Sequence, residues 1–175
     1  TTGLDVTTQA HVLETVRELC AAHDTAAVYV SHDLAAVASL AQRVVVLYAG
    51  RVAEEGPADV LFAAAAHPYT RKLVGAIPHV EERRHLEAIP GRVPAPGHRP
   101  SGCVFAPRCD HVVDACVAGP PPLVEIDGAH RARCIRALDL PAVAVAQPAP
   151  LRPVADAGVL LEARGVDAFH GRRQI

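Results

Sequence analysis

Residues 26–56, AAVYVSHDLAAVASLAQRVVVLYAGRVAEEG, form the stretch that decides the fold. The run Ala26–Val30 is apolar on both faces, a pattern that predicts a buried parallel strand. A short helical pattern follows over Leu34–Ala41. A second apolar run, Val44–Tyr48, then a turn at Gly50 and a more polar return predict a hairpin of two strands. Helix and strand therefore alternate, and the stretch indicates an α/β fold.

His32 falls where the first of these predicted strands stops. In open α/β sheets, ligands bind at the carboxyl ends of strands, and a neutral imidazole there can hydrogen-bond a phosphate oxygen or a water. A surface or capping role is the simpler alternative. Asp5, a good N-cap at the head of the preceding helical pattern, belongs to the same layer and is predicted to approach the same edge.

The composition limits the classes of protein to which the chain can belong. Half of the 175 residues are hydrophobic, so the chain can bury a core, and aromatic residues make up only 3%. The net charge of −2 gives no argument for binding nucleic acid or an anionic membrane. No apolar run approaches the roughly 18 residues that suggest a membrane span, and no signal peptide is recognisable. The absence of Met and the opening TTGLD predict a piece of a longer protein.

Two further helices are predicted over residues 58–65 and from His67 to about Ile77, where Pro78 stops the second. From Val80 onward the composition of the chain changes. The segment 89–100, IPGRVPAPGHRP, is rich in Pro and Gly and predicts a loop. Residues 141–157 predict an extended linker. Residues 159–166 resemble the start of a new strand.

Five cysteines are present, and four of them cluster with the spacing Cys103-x5-Cys109-x6-Cys116-x17-Cys134. Classical zinc sites carry pairs about two to four residues apart, so four thiolates with longer gaps suit an iron–sulfur cluster at least as well. Zinc and unliganded thiols remain the alternatives. Cys20 lies in an apolar helical stripe and is predicted to be core. His111 and His130 are predicted to be loop residues and not ligands.

The cysteine-containing segment is poor in apolar residues, so it is expected to bury little surface. Small modules of this kind depend on their metal for order. The sequence therefore predicts that residues 91–135 are held together by the metal, and that Cys109→Ser loosens this whole stretch.

Two phrases, TTGLDVTTQA and VYVSHDLAAVASLAQRVVVLYAGRVAEEGPADVLF, closely resemble the nucleotide-binding subunits of ABC transporters just downstream of their Walker B motif. This resemblance covers roughly residues 1–77. It implies that Asp5 is the catalytic aspartate of the D-loop, which shapes the dimer interface near the hydrolytic water. It also implies that His32 is the catalytic switch histidine, in contact with the γ-phosphate of ATP. ATP and Mg²⁺ are the cofactors that it implies.

Several parts of such an ATPase are absent from the sequence. There is no GxxxxGK[ST] phosphate loop and no LSGGQ-type signature. The Walker B aspartate and the catalytic glutamate would lie immediately before Thr1. Without these groups Mg²⁺ has no ligand and the attacking water has nothing to orient it. The chain by itself is therefore expected not to hydrolyse ATP.

Three further phrases narrow the resemblance to the oligopeptide and dipeptide importer ATPases: HPYTRKLVGAIP, SGCVFAPRCDHVVDAC and HRARC. In some members of that family the cysteine motif holds a four-iron four-sulfur cluster. The resemblance therefore implies that this cluster, or zinc, is bound by Cys103, Cys109, Cys116 and Cys134. The tail VLLEARGVDAFHGRR resembles the first strand of a second ATPase domain.

Taken together, the resemblance predicts the carboxyl-terminal part of a P-loop ABC-type α/β domain over residues 1–80 and a loop-rich, four-cysteine metal-binding extension over 81–140. A Pro/Ala linker over 141–157 and the start of a second ATPase domain over 158–175 follow. The predicted function is ATP-driven uptake of oligopeptides or dipeptides, although related importers also handle nickel and other small solutes. The alternative is a non-catalytic metal-binding regulatory or interaction module.

The resemblance also implies partners and a location. A second ATPase domain, in tandem or as a dimer partner, and transmembrane permease subunits are the expected direct partners, with a substrate-binding protein acting indirectly. No nucleic acid is expected. The protein is predicted to lie on the cytoplasmic face of the cell membrane, attached through the permease subunits.

Overall fold

The computed structural model describes residues 3–77, 88–141, 169–170 and 173–174. In chain order, the first part contains α1 (Val6–Ala22), α2 (Leu34–Leu40), β1 (Arg43–Tyr48), β2 (Arg51–Pro57), α3 (Ala58–Ala63) and α4 (Pro68–Gly75). The second part contains a 3₁₀ turn (Ala106–Arg108), α5 (Asp114–Ala118), β3 (Val124–Asp127), β4 (His130–Ala132), β5 (Phe169–His170) and β6 (Arg173–Gln174). The predicted strand at 159–166 and nearly all of the predicted linker lie outside the described residues.

The predicted hairpin is confirmed as β1 and β2, which pair antiparallel. Alternate residues of β1 are buried (Val44, Val46 and Tyr48), as a strand with one covered face requires. Ala49 and Gly50 form the turn with φ angles of 47° and 73°. Positive φ at both central residues is the geometry of the two-residue turn that matches the twist of an antiparallel pair, and glycine adopts it without strain.

The predicted buried parallel strand at Ala26–Val30 is wrong for this structure. The described residues show no strand there, and the side chains of Val28 and Val30 are 95% and 88% exposed. A strand that is apolar on both faces needs a neighbouring strand and covering helices, and the described part of the chain supplies neither. The α/β class is confirmed at the level of helices packed on a sheet, but that sheet is antiparallel.

The main sheet joins the two halves of the chain. Its strand order is β1-β2-β4-β3, so the cysteine-containing segment adds its own hairpin to the edge of the first hairpin. Glu54 of β2 stands opposite Ala132 of β4, and Glu55 stands opposite Arg131. The extension is therefore loop-rich as predicted, yet it continues the sheet of the segment before it. The regions predicted at 1–80 and 81–140 share one sheet.

The side chain of Phe105 shows that the first hairpin and the cysteine-containing segment also share one hydrophobic core. Its side chain is 1% exposed and packs edge-on against Tyr48 of β1, with ring centroids 5.1 Å apart. Tyr69 of α4 lies 5.4 Å from the same ring. The expectation that this segment buries little surface is therefore wrong, because one large aromatic residue in the segment fills a site prepared by the hairpin and by α4.

The predicted helices are confirmed with small changes at their ends. Asp33 caps α2 by accepting hydrogen bonds from the backbone N–H groups of Ala35 and Ala36, at 3.1 Å each. Cys20 of α1 is only partly buried, so the prediction that it belongs to the core holds in part. None of the described helices combines the length and the apolarity needed to cross a membrane.

Candidate functional site

Asp5 lies at the N-cap of α1, where its carboxylate accepts hydrogen bonds from the backbone N–H of Thr8 at 3.0 Å and from the Thr8 hydroxyl at 2.7 Å. The hydroxyl contact is the main reason that the pKa of the Asp5 carboxyl lies below its usual value. Asp5 is exposed. It is therefore an ionised, accessible carboxylate held in a fixed direction.

His32 is exposed directly before α2. The next residue, Asp33, accepts a hydrogen bond at 3.3 Å from the side-chain amide of Gln9, one turn into α1. This bond joins the first turns of α1 and α2, so the two predicted catalytic residues, Asp5 and His32, lie on segments whose ends meet. Their roles toward a nucleotide stay predictions.

Four cysteine side chains line one partly open cavity, and they come from four separate places in the extension. Cys103 and Cys109 flank the 3₁₀ turn, Cys116 lies on α5, and Cys134 follows β4. The backbone N–H of Cys103 donates to the carbonyl of Cys116 at 2.7 Å, which joins two of the four segments. The cysteines that the sequence grouped by spacing are thus brought together, while a metal-ligand role stays a prediction.

Burial is the main reason that the pKa values of the Cys103, Cys109 and Cys134 thiols are raised, and neighbouring thiols of the same cluster add to the effect. These thiols are therefore protonated at neutral pH when no metal is bound. A metal binds the thiolate and must displace these protons. His111 also lines the cavity and is exposed.

Glu54 forms a buried polar network that the sequence did not reveal. Its carboxylate is fully buried and accepts hydrogen bonds from the backbone N–H groups of Ala66 and His67, at 2.7 and 2.9 Å. The ring nitrogen Nε2 of His130 lies 2.7 Å from the same carboxylate. His130 was predicted to be a loop residue, but it begins β4. One side chain thus fastens β2, the start of α4 and the extension to one another.

His67 stands between this network and the cysteines. Its backbone N–H is held by Glu54, and its Nδ1 accepts a hydrogen bond at 3.0 Å from the backbone N–H of Tyr69, which caps α4. The ring lies 5.8 Å from the ring of Phe105 and borders the cysteine cavity. Burial lowers the pKa of His67 to about 4, although the negative charge of Glu54 acts in the opposite direction. The ring is therefore neutral at physiological pH.

Comparison with known proteins shows which protein family this chain resembles. Residues 53–116, which contain Glu54, His67 and the first three cysteines of the cluster, match the family model described as "Oligopeptide/dipeptide transporter, C-terminal region". A protein of Brucella ovis named "Putative peptide import ATP-binding protein" is 45% identical over 143 residues, which cover 78% of this chain and 42% of the relative. The chain belongs to the ATP-binding proteins of the oligopeptide/dipeptide ABC transporters.

A second relative supports the same family assignment. The dipeptide transport ATP-binding protein DppD of Escherichia coli is 41% identical over 140 residues, which cover 79% of this chain and 43% of DppD. The chain thus spans about two fifths of the length of the curated relatives named here. The resemblance that the sequence suggested is confirmed, and the alternative of a non-catalytic metal-binding module is not favoured.

Three residues of this family member that organise the site escaped prediction from the sequence. Glu54 lies in a polar run typical of an edge strand, and His130 lies in a short segment between turns. Phe105 is the only aromatic residue among the clustered cysteines, and this is the signal in the sequence for a core position there. Nothing in the sequence shows that Glu54 and His130, which are 76 positions apart, come into contact.

Gly102→Ala tests how tightly the cysteine segments are packed. A Cβ atom at Gly102 would clash with the carbonyl oxygen of Cys116 and would lie 2.8 Å from Cα of Val117. Because backbone atoms cannot give way easily, we expect a loss of about 1–3 kcal/mol in the free energy of unfolding, measured by urea denaturation. Gly119→Ala is the matched control, since no atom lies within 4 Å of a Cβ there. Equal effects of the two substitutions would contradict the tight contact.

The neutral, buried state of His67 predicts a pH dependence of stability in the metal-free chain. The pKa of His67 is about 4 in the folded state and about 6.5 when exposed. Between these pH values only the unfolded chain binds the proton, so the contribution of His67 is complete above pH 6.5 and is lost as the pH falls. The expected loss at pH 4 is about 3 kcal/mol.

His67→Asn isolates this contribution, because asparagine also caps helices but does not titrate. Unfolding of both forms in urea, followed between pH 7 and pH 4, should show a steeper loss of stability for the unmodified chain. Parallel curves for the two forms would show that His67 is not held neutral by burial.

Proposed function

We propose that a protein carrying this chain hydrolyses ATP to power the uptake of oligopeptides or dipeptides. The observation that carries this proposal is the family match over residues 53–116, together with relatives whose names state peptide import and dipeptide transport. ATP and Mg²⁺ are the cofactors of the proposed reaction. Transmembrane permease subunits and a second ATPase domain are the proposed partners, at the cytoplasmic face of the membrane.

In this proposal His32 contacts the γ-phosphate, and Asp5 shapes the interface between two ATPase domains close to the hydrolytic water. The exposure of both residues supports these roles, since a nucleotide and a second domain must reach them. The hydrogen bond between Gln9 and Asp33 supports a common location, because it joins the two helix ends that carry them. ATP and Mg²⁺ supply the phosphoryl-transfer chemistry, and these residues of the chain would position and sense it.

His32→Ala in the complete protein, assembled with its permease subunits, tests the proposal. We expect ATP turnover and uptake of a labelled dipeptide to fall about 100-fold, because a group that contacts the charge developing in the transition state is lost. His23→Ala is the matched control, since His23 is an exposed histidine at the opposite end of α1 from the helix starts that meet. Uptake that is unchanged by His32→Ala would refute the role of His32. Turnover without uptake of any peptide would refute the cargo.

We also propose that Cys103, Cys109, Cys116 and Cys134 bind an iron–sulfur cluster with four irons. The support is that four thiols from separate segments line one cavity. In the described ranges, no three His, Cys, Asp or Glu side chains converge closely enough for a single metal ion. The choice of the cluster over zinc rests on the gaps between the cysteines in the sequence, which are longer than those of the cysteine pairs in classical zinc sites.

The domain organisation completes the proposal. Residues 1–80 belong to the ATPase domain, 81–140 to the cysteine extension, 141–157 to a linker and 158–175 to a second ATPase domain. Continuity of the sheet from β2 to β4 supports a fixed position of the extension relative to the hairpin of the ATPase domain. The cluster would thus be a structural part of the ATPase domain and not a mobile appendage.

A further inference from the structure

His67 is a hydrogen-bond donor for which the described residues supply no acceptor. Because Nδ1 accepts a hydrogen bond from the backbone N–H of Tyr69, the single proton of the neutral ring must lie on Nε2. The tautomer of His67 is therefore determined by the cap of α4. No hydrogen bond from Nε2 to any described residue is present, including the cysteine sulfurs.

The His67 ring nevertheless borders open space inside the protein. Its side chain is only 2% exposed, and it lines the same cavity as the four cysteines.

A second cavity also borders the His67 ring, but no carboxylate lines it, and its charged side chains are those of Arg51 and Arg133, which only donate hydrogen bonds. The cysteine cavity would offer negatively charged acceptors once it is filled, because thiolates and inorganic sulfides are negatively charged sulfur atoms.

We propose that Nε2 of His67 donates a hydrogen bond to a sulfur of the group held by Cys103, Cys109, Cys116 and Cys134, and thereby raises its reduction potential. The inference rests on the proposed iron–sulfur cluster. His67 is a positioning and tuning residue, not a ligand. Hydrogen bonds to the sulfurs stabilise the more negative, reduced form of a cluster, and this is one of the ways in which proteins set cluster potentials.

The surroundings hold His67 ready for this contact. Glu54 holds its backbone N–H and Tyr69 holds its Nδ1, so both ends of the residue are fixed before any group enters the cavity. Phe105 lies against the ring and keeps the site apolar. A hydrogen bond in such a site is electrostatically stronger than one in water. The histidine of the HPY segment would thus link the helix α4 to the cysteine cluster.

His67→Asn in the 175-residue chain, reconstituted anaerobically with iron and sulfide, tests the inference. Asparagine keeps an acceptor for the helix cap but has no atom equivalent to Nε2. At a fixed potential we expect the ratio of reduced to oxidised cluster to fall about tenfold, which is about 59 mV for a one-electron couple. The potential is measured by redox titration followed by electron paramagnetic resonance. His98→Asn, on an exposed loop outside the cavity, is the matched control and should leave the potential unchanged.

A second measurement needs no substitution at His67 and serves if the asparagine variant fails to hold the cluster. Chain labelled with ¹⁵N-histidine, carrying His111→Asn to remove the other histidine at the cavity, should show magnetic coupling between the reduced cluster and a histidine nitrogen. Absence of this coupling, or an unchanged potential in His67→Asn with the cluster intact, would overturn the role of His67 and leave the cluster standing. Failure of the unmodified chain to hold any cluster would instead overturn the cluster proposal itself.

Discussion

Glu54→Ala is expected to lower the free energy of unfolding by about 3–5 kcal/mol, because each buried donor left without an acceptor costs about 1–3 kcal/mol. The substitution leaves three donors without an acceptor in a site closed to water: the backbone N–H groups of Ala66 and His67, and Nε2 of His130. Because these donors belong to different parts of the chain, the loss should separate α4 and β4 from β2. Urea denaturation followed by circular dichroism measures the effect.

Glu125→Ala is the matched control, since Glu125 is an exposed glutamate on β3 of the same sheet. It should change the free energy of unfolding by less than about 0.5 kcal/mol. Glu54→Gln keeps the shape of the side chain but places an amide N–H₂ against donors, so it should also destabilise the chain. A loss smaller than about 1 kcal/mol in Glu54→Ala would show that the network does not hold the segments together.

Cys109→Ser is expected to remove most of the iron that the chain takes up on anaerobic reconstitution, because a serine hydroxyl is a poor replacement for the thiolate that iron–sulfur clusters require. Iron per chain and the visible absorption of the cluster measure the effect. Cys20→Ser is the control, since Cys20 lies in α1 and does not line the cavity. Equal iron content in the two variants would contradict the ligand role of Cys109.

The structure changes what Cys109→Ser should do to the fold. The sequence predicted loosening of the whole stretch 91–135, on the view that only the metal orders it. Phe105 in the shared core and β4 in the shared sheet hold much of that stretch without a metal. Limited proteolysis of the variant should therefore cut near the 3₁₀ turn and α5 and spare the β3–β4 hairpin.

Local features of the fold could be predicted because their causes lie within a few residues. The carboxylates of Asp5 and Asp33 cap the helices that follow them, and the alternation in β1 shows which of its faces is covered. The prediction of a buried strand at Ala26–Val30 was wrong for the opposite reason. Its pattern describes a strand between neighbours, and whether neighbours are present is not a property of the run itself.

The candidate site likewise contains residues that could be predicted from the sequence and residues whose roles could not. Spacing and a family resemblance identified the four cysteines, and the structure brings them to one cavity. His67 was predicted only as the start of a helix, because its second role depends on where the cysteine segment packs. Glu54 looked like any acid of an exposed strand, since burial of its carboxylate depends on donors contributed by α4 and by the distant His130.

The most direct test of the central claim is diffraction at the iron absorption edge from crystals of the anaerobically reconstituted chain. The account predicts four iron sites in one compact group, bounded by Cys103, Cys109, Cys116 and Cys134 and approached by Nε2 of His67. A single metal ion bound by the cysteines, or iron bound elsewhere while the four thiols stay free, would contradict it.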